Sequence, residues 1–398
     1  MTVTIDWEGQ LARRAKRIRS SVMFKFGETE DHPDIIPFAG GAPPAECLPI
    51  GPLRTAVAGV WRDIDPSTLY YDEYQGHEPL RALIAERMGR RGVQITSNDV
   101  LITAGSQQGL ELTAKLFLDP GDRVVVEAPT YFGALQIFDV YEAEYLPVPV
   151  DDDGIVIDEL EQALQSDPKP KLIYLIPTFQ NPTGIALSHD RREKVISLAR
   201  HYGVPIIEDD PYGELWFHGG DHGTLRALGS EVIYLGTFSK TIAPALRMGW
   251  MVAPKVLMKR FVDAREGVDI QSDRMVQRAI VRLCEHDWLD KHIAECREEY
   301  RKRCDFMLEC LERDMPRGTK WTQPDGGFFI WVTLPDGANA DELVKECARN
   351  GVLYNPGSCF YTDWEPKPTL RLGFSTLPPE MVSEGIKRMG EVFRRHIG

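Results

Sequence analysis

The sequence predicts an α/β fold with a mainly parallel sheet, joined to a smaller α+β part, and three observations carry that expectation. Between residues 99 and 252, apolar runs of strand length alternate with stretches of helical periodicity, the pattern of βαβ units. Most of these runs lead into clusters of glycine, hydroxyl, amide or acidic residues, and ligands of such sheets bind at the carboxyl ends of the strands. At 398 residues the chain also exceeds the size at which one core usually keeps growing, so a second, smaller domain is expected.

Taken in order, the chain opens with helical spacing around Leu11 to Ile18, then reaches Gly40-Gly41-Ala42-Pro43-Pro44. Paired glycines before prolines let a backbone approach a ligand closely, or simply turn. Leu69-Tyr70-Tyr71-Asp72-Glu73-Tyr74 precedes a helix-like run from Pro79 to Met88; its tyrosines are packing residues or anion-binding hydroxyls. Val100 to Thr103 reads as a buried strand, followed by Gly105-Ser106-Gln107-Gln108 and a helix, a natural anion site at a helix N-terminus. Neither Gly-x-Gly-x-x-Gly nor a Walker pattern is present there.

Further strands are expected at Arg123 to Glu127, Lys171 to Ile176, Val204 to Glu208, Val232 to Leu235 and Gly249 to Val252. Helices are expected from about Tyr131, from Asp190 to Tyr202 and over Lys255 to His286. Beyond Trp288 come a charged helix over Ile293 to Glu312, a strand Gly327 to Val332, a helix from Ala340 and a strand Thr369 to Phe374. The domain division read from this is 1–55 and 288–398 for the small domain and 56–287 for the large one.

Composition removes several classes of function. A charged fraction of 27% and a hydrophobic fraction of 43% are ordinary for a soluble protein. The formal net charge of -14 argues against a nucleic-acid partner, and the basic clusters Arg13-Arg14-Ala15-Lys16 and Arg301-Lys302-Arg303 read as solvated helix faces. No apolar run approaches the ~18 to 20 residues of a membrane span. Asp6, Glu8, Arg13 and Arg14 stand where a signal peptide would be apolar, so a cytoplasmic location is expected. Seven cysteines without a Cys-x-x-Cys pair fit reduced thiols. The nine histidines form no His-Glu-x-x-His group, so no metal site is expected.

The stretch with the most chemistry is Thr237-Phe238-Ser239-Lys240, followed by Arg247. A lysine amine of lowered pKa condenses with an aldehyde to a Schiff base. The Thr237 and Ser239 hydroxyls can donate to phosphate oxygens, and Arg247 can fork onto the same dianion. Pyridoxal 5'-phosphate carries both groups. Asp209 would hold a pyridine nitrogen protonated, Asn181 and Tyr212 would donate to the ring's phenolate oxygen, and Tyr131 would stack on its face. Arg371, in an apolar strand, requires an anion, either a substrate carboxylate or a structural Asp or Glu.

In their order these segments resemble the fold-type I pyridoxal-phosphate enzymes, class I/II aminotransferases. The motifs are Gly-Ser-Gln-Gln at 105 to 108, Asn-Pro-Thr-Gly at 181 to 184, Asp-x-x-Tyr at 209 to 212, Ser-Lys at 239 and 240 with Arg247, and Leu-Arg-Leu at 370 to 372. The resemblance spans nearly the whole chain and is greatest to the branch of 2-aminoadipate, kynurenine and aromatic or branched-chain aminotransferases. It implies a mainly parallel seven-stranded central sheet flanked by helices, with the small domain built from both chain ends. It further implies Lys240 as Schiff-base lysine and proton shuttle, and Ser106, Gln107, Thr237, Ser239 and Arg247 on the phosphate. Arg371 would take the substrate α-carboxylate with help from the Gly41 backbone, and Asn181 would lie at the same substrate. Tyr71 would reach the phosphate bound by the neighbouring subunit, which makes the protein a homodimer with shared active sites.

The implied reaction moves an amino group from an L-amino acid to a 2-oxo acid, 2-oxoglutarate or pyruvate, by ping-pong kinetics. Other pyridoxal-phosphate chemistry on the same scaffold (oxidation, elimination, cyclisation of an arginine-like amino acid) remains an alternative, as does a non-catalytic effector-binding domain. Two departures bear on the substrate. Ser20-Ser21-Val22-Met23 lacks the Ile-Arg pair common in aminoadipate and kynurenine enzymes, although Arg19 and Lys25 are near. The loop Asp269 to Arg274 also differs from the family's, and Asp273 or Arg274 is expected to project into the partner's pocket and select the distal group of the substrate.

Overall fold

Residues 5–18 and 34–397 are described by the structure, a computed structural model. In chain order their strands are β1 (Ile36–Pro37), β2 (Val100–Thr103), β3 (Arg123–Ala128), β4 (Glu144–Asp151), β5 (Gly154–Ile155), β6 (Leu172–Leu175), β7 (Ile206–Asp209), β8 (Val232–Thr237), β9 (Gly249–Val252), β10 (Lys320–Trp321), β11 (Phe329–Thr333), β12 (Val352–Leu353), β13 (Asn355–Pro356) and β14 (Thr369–Gly373). The central sheet has the order β2-β9-β8-β7-β6-β3-β4-β5. From β8 through β7, β6 and β3 to β4 every pairing is parallel. β9 runs against both β2 and β8, so β2 points the same way as the parallel set.

The sheet therefore has eight strands where seven were expected. The extra one, β5, is two residues long and folds back on β4, pairing Val150 with Ile155. Gly154, at a φ of 97°, supplies the backbone conformation that lets the chain reverse after Asp152 and Asp153.

The inner strands of a parallel sheet are covered on both faces, which is why β6, β7 and β8 are buried along their whole length. Alternation sorts their side chains between the two faces. Val124, Val126, Ile207 and Leu235 meet the layer of the helices Ser106–Phe117, Phe132–Val140 and Lys255–Asp269. Val125, Ile173, Ile206 and Val232 meet that of the helices Ile157–Leu164 and His189–Tyr202.

A second, antiparallel sheet has the order β10-β11-β14-β13. β1 pairs in parallel with β12, Ile36 opposite Val352, which ties the segment after residue 34 to the C-terminal part. The helix Trp288–Asp314 buries Leu289, Ile293, Tyr300, Met307 and Leu311 as one apolar stripe despite its charge.

Three expectations are corrected. Residues Leu11 to Ile18 form no α-helix: the described N-terminal residues make short 3-10 turns at Glu8–Gln10 and Arg13–Arg17 with no buried side chain. The helical region over Lys255 to His286 is broken into Lys255–Asp269 and Arg274–Leu283, because Ile270 between them has a φ of 65°. Arg303 is not on a solvated face: it is buried, pairs with Glu299 and Glu46, and donates to the Leu377 carbonyl at 2.7 Å. Among the described residues no helix is long and apolar enough to cross a membrane.

Candidate active site

Because β2, β3, β6, β7 and β8 point the same way, the segments leaving their carboxyl ends converge on one edge of the sheet. β9 enters at that edge from the opposite direction, which brings Arg247, two residues before its start, to the same place. A cleft of about 380 Å³ opens there.

Lys240 stands at its centre, three residues beyond β8. Its Nζ donates to the Gly41 carbonyl at 2.6 Å. Burial, reinforced by the positive charges of Arg371 and Arg247 and opposed by Asp209, lowers its pKa to about 8. Gly41 has no room for a side chain, since a Cβ would lie 2.5 Å from Cζ of Phe329. Gly41, though not Gly40, is thus a close approach, to the Phe329 ring.

Asp209 is the last residue of β7 and is buried at 4% exposure. Tyr174 of β6 donates its hydroxyl to Oδ2 at 3.0 Å, while Oδ1 is buried without a hydrogen-bond partner. Burial first, then the neighbouring Asp210, raises its pKa to about 7. An unpartnered buried carboxylate oxygen in a cleft wall calls for a donor from a ligand.

The opposite end of the cleft is an anion cradle. The helix Ser106–Phe117 points its N-terminus into it, preceded by Gly105 at a φ of 84°. The Thr237 and Ser239 hydroxyls lie 2.9 Å apart, and the Ser239 N–H donates to Thr237 Oγ1 at 3.1 Å. Arg247 uses Nη2 on the Ala104 carbonyl at 2.9 Å and makes no ion pair among the described residues. A Cβ on Gly105 would lie 2.7 Å from that Nη2, so glycine is what lets the guanidinium reach the cradle. Gln107 lies beside Tyr131, whose hydroxyl is 3.4 Å from Gln107 Oε1 and whose pKa burial pushes up to about 12.

Arg371 closes the cleft from β14. It is buried, donates through Nη1 to Asn181 Oδ1 and through Nη2 to the Ala39 carbonyl, both at 2.8 Å, and lies 4.0 Å over the Phe329 ring. Nε is left buried without a partner. Burial lowers its pKa to about 10. Among the described residues no Asp or Glu pairs with it, so of the two anions expected the structural carboxylate is absent.

Sequence reasoning missed several residues here. Phe132, Phe329 and Pro244 line the cleft, and Tyr174 orients Asp209. A signal for Phe329 existed: it alternates with Trp331, which stands opposite Arg371 in the β11–β14 register, so all three share a face. Tyr174 was the one hydroxyl in an otherwise apolar strand.

Of the residues expected at the site, Gly41, Ser106, Gln107, Tyr131 and Asn181 line this cleft. So do Asp209, Tyr212, Thr237, Ser239, Lys240, Arg247 and Arg371. Tyr71 does not: it is 75% exposed on the outer surface. Asp273 and Arg274 are engaged within their own chain, Asp273 capping the helix Arg274–Leu283 by accepting from the Val276 N–H at 2.9 Å. Ser20 to Met23, with Arg19 and Lys25, lie outside the described residues.

The residues present fit pyridoxal phosphate. A buried amine of lowered pKa, an unpartnered carboxylate oxygen and a hydroxyl, helix N-terminus and guanidinium cradle match its aldehyde, ring nitrogen and phosphate. The cleft volume suits a ligand of that size with a small amino acid.

Comparison with known proteins agrees. The family model described as aminotransferase class I and II matches residues 50–389. The chain is 38% identical to aromatic-amino-acid aminotransferase 1 of Thermococcus litoralis, over 99% of this chain and 96% of that one. It is 34% identical to 2-aminoadipate transaminase of Thermus thermophilus, over 98% of both. The crystal structure of Pyrococcus horikoshii kynurenine aminotransferase superposes with a TM-score of 0.94 at 39% identity, covering 99% of each chain. A Schiff-base lysine candidate, its acidic and cationic neighbours and full-length likeness to these enzymes all lead to one assignment: the chain belongs to the class I and II aminotransferases, which depend on pyridoxal phosphate.

Proposed function

We propose that this chain transfers the amino group of an L-amino acid to a 2-oxo acid, 2-oxoglutarate or pyruvate, by ping-pong turnover, as a cytoplasmic homodimer with shared active sites. The observation that carries the reading is the Lys240 amine, held in a buried cleft with Asp209 and Arg371 and kept largely free of its proton above pH 8. When bound, pyridoxal phosphate supplies an electron-withdrawing ring that stabilises negative charge at the substrate α-carbon.

The chain's own residues do the rest. Lys240 Nζ takes and returns the α-proton, which suits a pKa near the working pH. Asp209 would pair with the ring nitrogen through Oδ1, and Tyr174 orients the carboxyl by donating to Oδ2. Asn181 and Tyr212 serve the phenolate oxygen, and Tyr131 the ring face. Ser106, Gln107, Thr237, Ser239 and Arg247 hold the phosphate, joined by Tyr71 of the second chain. Arg371 forks onto the substrate carboxylate, with Asn181 and the Gly41 backbone beside it. The aromatic rings of Phe132 and Phe329 favour apolar or aromatic amino acids. A division into small-domain segments 1–55 and 288–398 around a large domain, 56–287, goes with this reading. The β1–β12 pairing supports placing the N-terminal segment with the small domain and the positive φ of His286 and Asp287 supports the second boundary, whereas the helix Ile50–Arg62 runs through the first.

The test is a half-reaction panel: amino acids are added singly to the cofactor-loaded protein and the cofactor absorbance is followed, then 2-oxo acids are added to reverse it. Bleaching restored by an oxo acid, with one amino group transferred per site, is expected. Oxygen uptake, elimination products or no bleaching with any amino acid would reject transamination. Lys240→Ala should show no lysine-linked chromophore.

A further inference from the structure

Arg274 is engaged with a segment of its own chain. Its side chain is 10% exposed, and Nη1 donates to the Ser67 carbonyl at 2.8 Å and the Tyr70 carbonyl at 2.5 Å, while Nη2 pairs with the Asp72 carboxylate. Neighbouring residues grip the same strap. Gln271 Oε1 accepts from the Asp72 N–H at 3.1 Å, Arg265 donates to the Tyr74 carbonyl at 2.8 Å, and Gln277 Oε1 accepts from the His77 N–H at 2.7 Å. Segment 265–277 therefore holds segment 67–77 mainly by its backbone.

The grip is unusual in what it leaves outside. Leu69, Tyr70 and Tyr71 are 67%, 70% and 75% exposed, so packing of their side chains does not order the strap. Ordering backbone costs about 1–2 kcal/mol per residue. Charge-assisted hydrogen bonds offset that here without burying the tyrosines. The clamp itself carries strain: Ile270, a β-branched residue, has a φ of 65° at the turn that carries Gln271. Strain and cationic ties spent on a strap with outward aromatic side chains mark a device for presenting those side chains.

We infer that Arg274 is a positioning residue for the shared active site: it fixes the strap so that the Tyr71 hydroxyl is presented to the cofactor phosphate bound by the second chain. This rests on the reading of Tyr71 given above. It replaces the expectation that Arg274 selects the substrate's distal group, since both of its terminal nitrogens are bonded within its own chain.

The experiment titrates cofactor-free protein with pyridoxal phosphate by absorbance, with assembly followed by sedimentation. Tyr71→Phe should weaken cofactor binding about tenfold, the loss of one hydrogen bond to a charged group. Arg274→Ala should produce a comparable loss with the dimer intact, and Asp72→Asn, a milder change that keeps the strap's shape, a smaller one. The double variant Arg274→Ala/Tyr71→Phe should bind no more weakly than the worse single variant, because both remove the same contact. A purely structural role for Arg274 would give additive losses. The inference is overturned if the losses add, if Arg274→Ala and Asp72→Asn bind cofactor normally while Tyr71→Phe does not, or if Arg274→Ala dissociates the dimer. Normal binding by Tyr71→Phe would overturn the Tyr71 assignment itself, and the inference with it.

Discussion

At the scale of single residues, the site is built from groups whose pKa values burial displaces from those they have in water. Lys240 titrates near 8 in the fold against 10.5 as an ordinary lysine, so below about pH 8 the buried ammonium destabilises the cofactor-free chain in full. Between about 8 and 10.5 the unfolded chain holds the extra proton, and stability rises with pH. Uptake of pyridoxal phosphate by the cofactor-free protein, measured by stopped-flow absorbance, should accelerate with a midpoint near pH 8 as the amine becomes free. A midpoint near 10 would show that burial is not felt. Asp209 has the opposite linkage: its carboxyl is raised from 3.8 to about 7, so the native chain holds the extra proton across that window and stability falls as pH rises through it. The displacement corresponds to about 4 kcal/mol at pH 8. Asp209→Asn should therefore stabilise the cofactor-free fold at pH 8 by up to about 4 kcal/mol in denaturant unfolding, with the gain vanishing near pH 4, while activity falls sharply. Tyr174→Phe removes the donor to Oδ2 and should raise the Asp209 pKa further, moving the pH profile of cofactor binding upward.

Among the elements, the turn between β2 and the helix Ser106–Phe117 does the most for the site. Gly105 has a left-handed φ of 84° and sits against Arg247. Gly249, opening β9, packs on it so closely that a Cβ would lie 2.7 Å from the Gly105 carbonyl carbon. Gly105→Ala adds a backbone penalty of about 1–2 kcal/mol and displaces the guanidinium, so both unfolding stability and cofactor affinity should fall. Cofactor affinity that survives the substitution would remove Arg247 from the cradle. This turn was legible beforehand as a strand, glycine and helix N-terminus. The antiparallel sense of β9 was not, because strand direction is absent from an apolar run of four residues and depends on how the connection through Pro244 to Leu246 turns back.

For the whole molecule, the role proposed for Tyr71 implies a pair of chains, each of 45.0 kDa. Sedimentation should give a dimer, and cofactor retention should fall on dilution in step with dissociation, since each phosphate would lose its second-chain hydroxyl. Retention independent of protein concentration would mean that each chain holds its cofactor alone. The order of strand and helix and the residues at the strand ends, with Lys240 among those lining the cleft, followed from sequence, because apolar periodicity and side-chain type are local properties. The tertiary structure decided what depends on neighbours distant along the chain. It left Asp209 Oδ1 unpartnered, set Arg371 against Asn181 and a carbonyl in place of an acid, and turned Arg274 onto its own strap. Each of those outcomes is a matter of which donor meets which acceptor across more than a hundred residues, apart from the orphan oxygen, and that is fixed by packing of the two sheets and their helices.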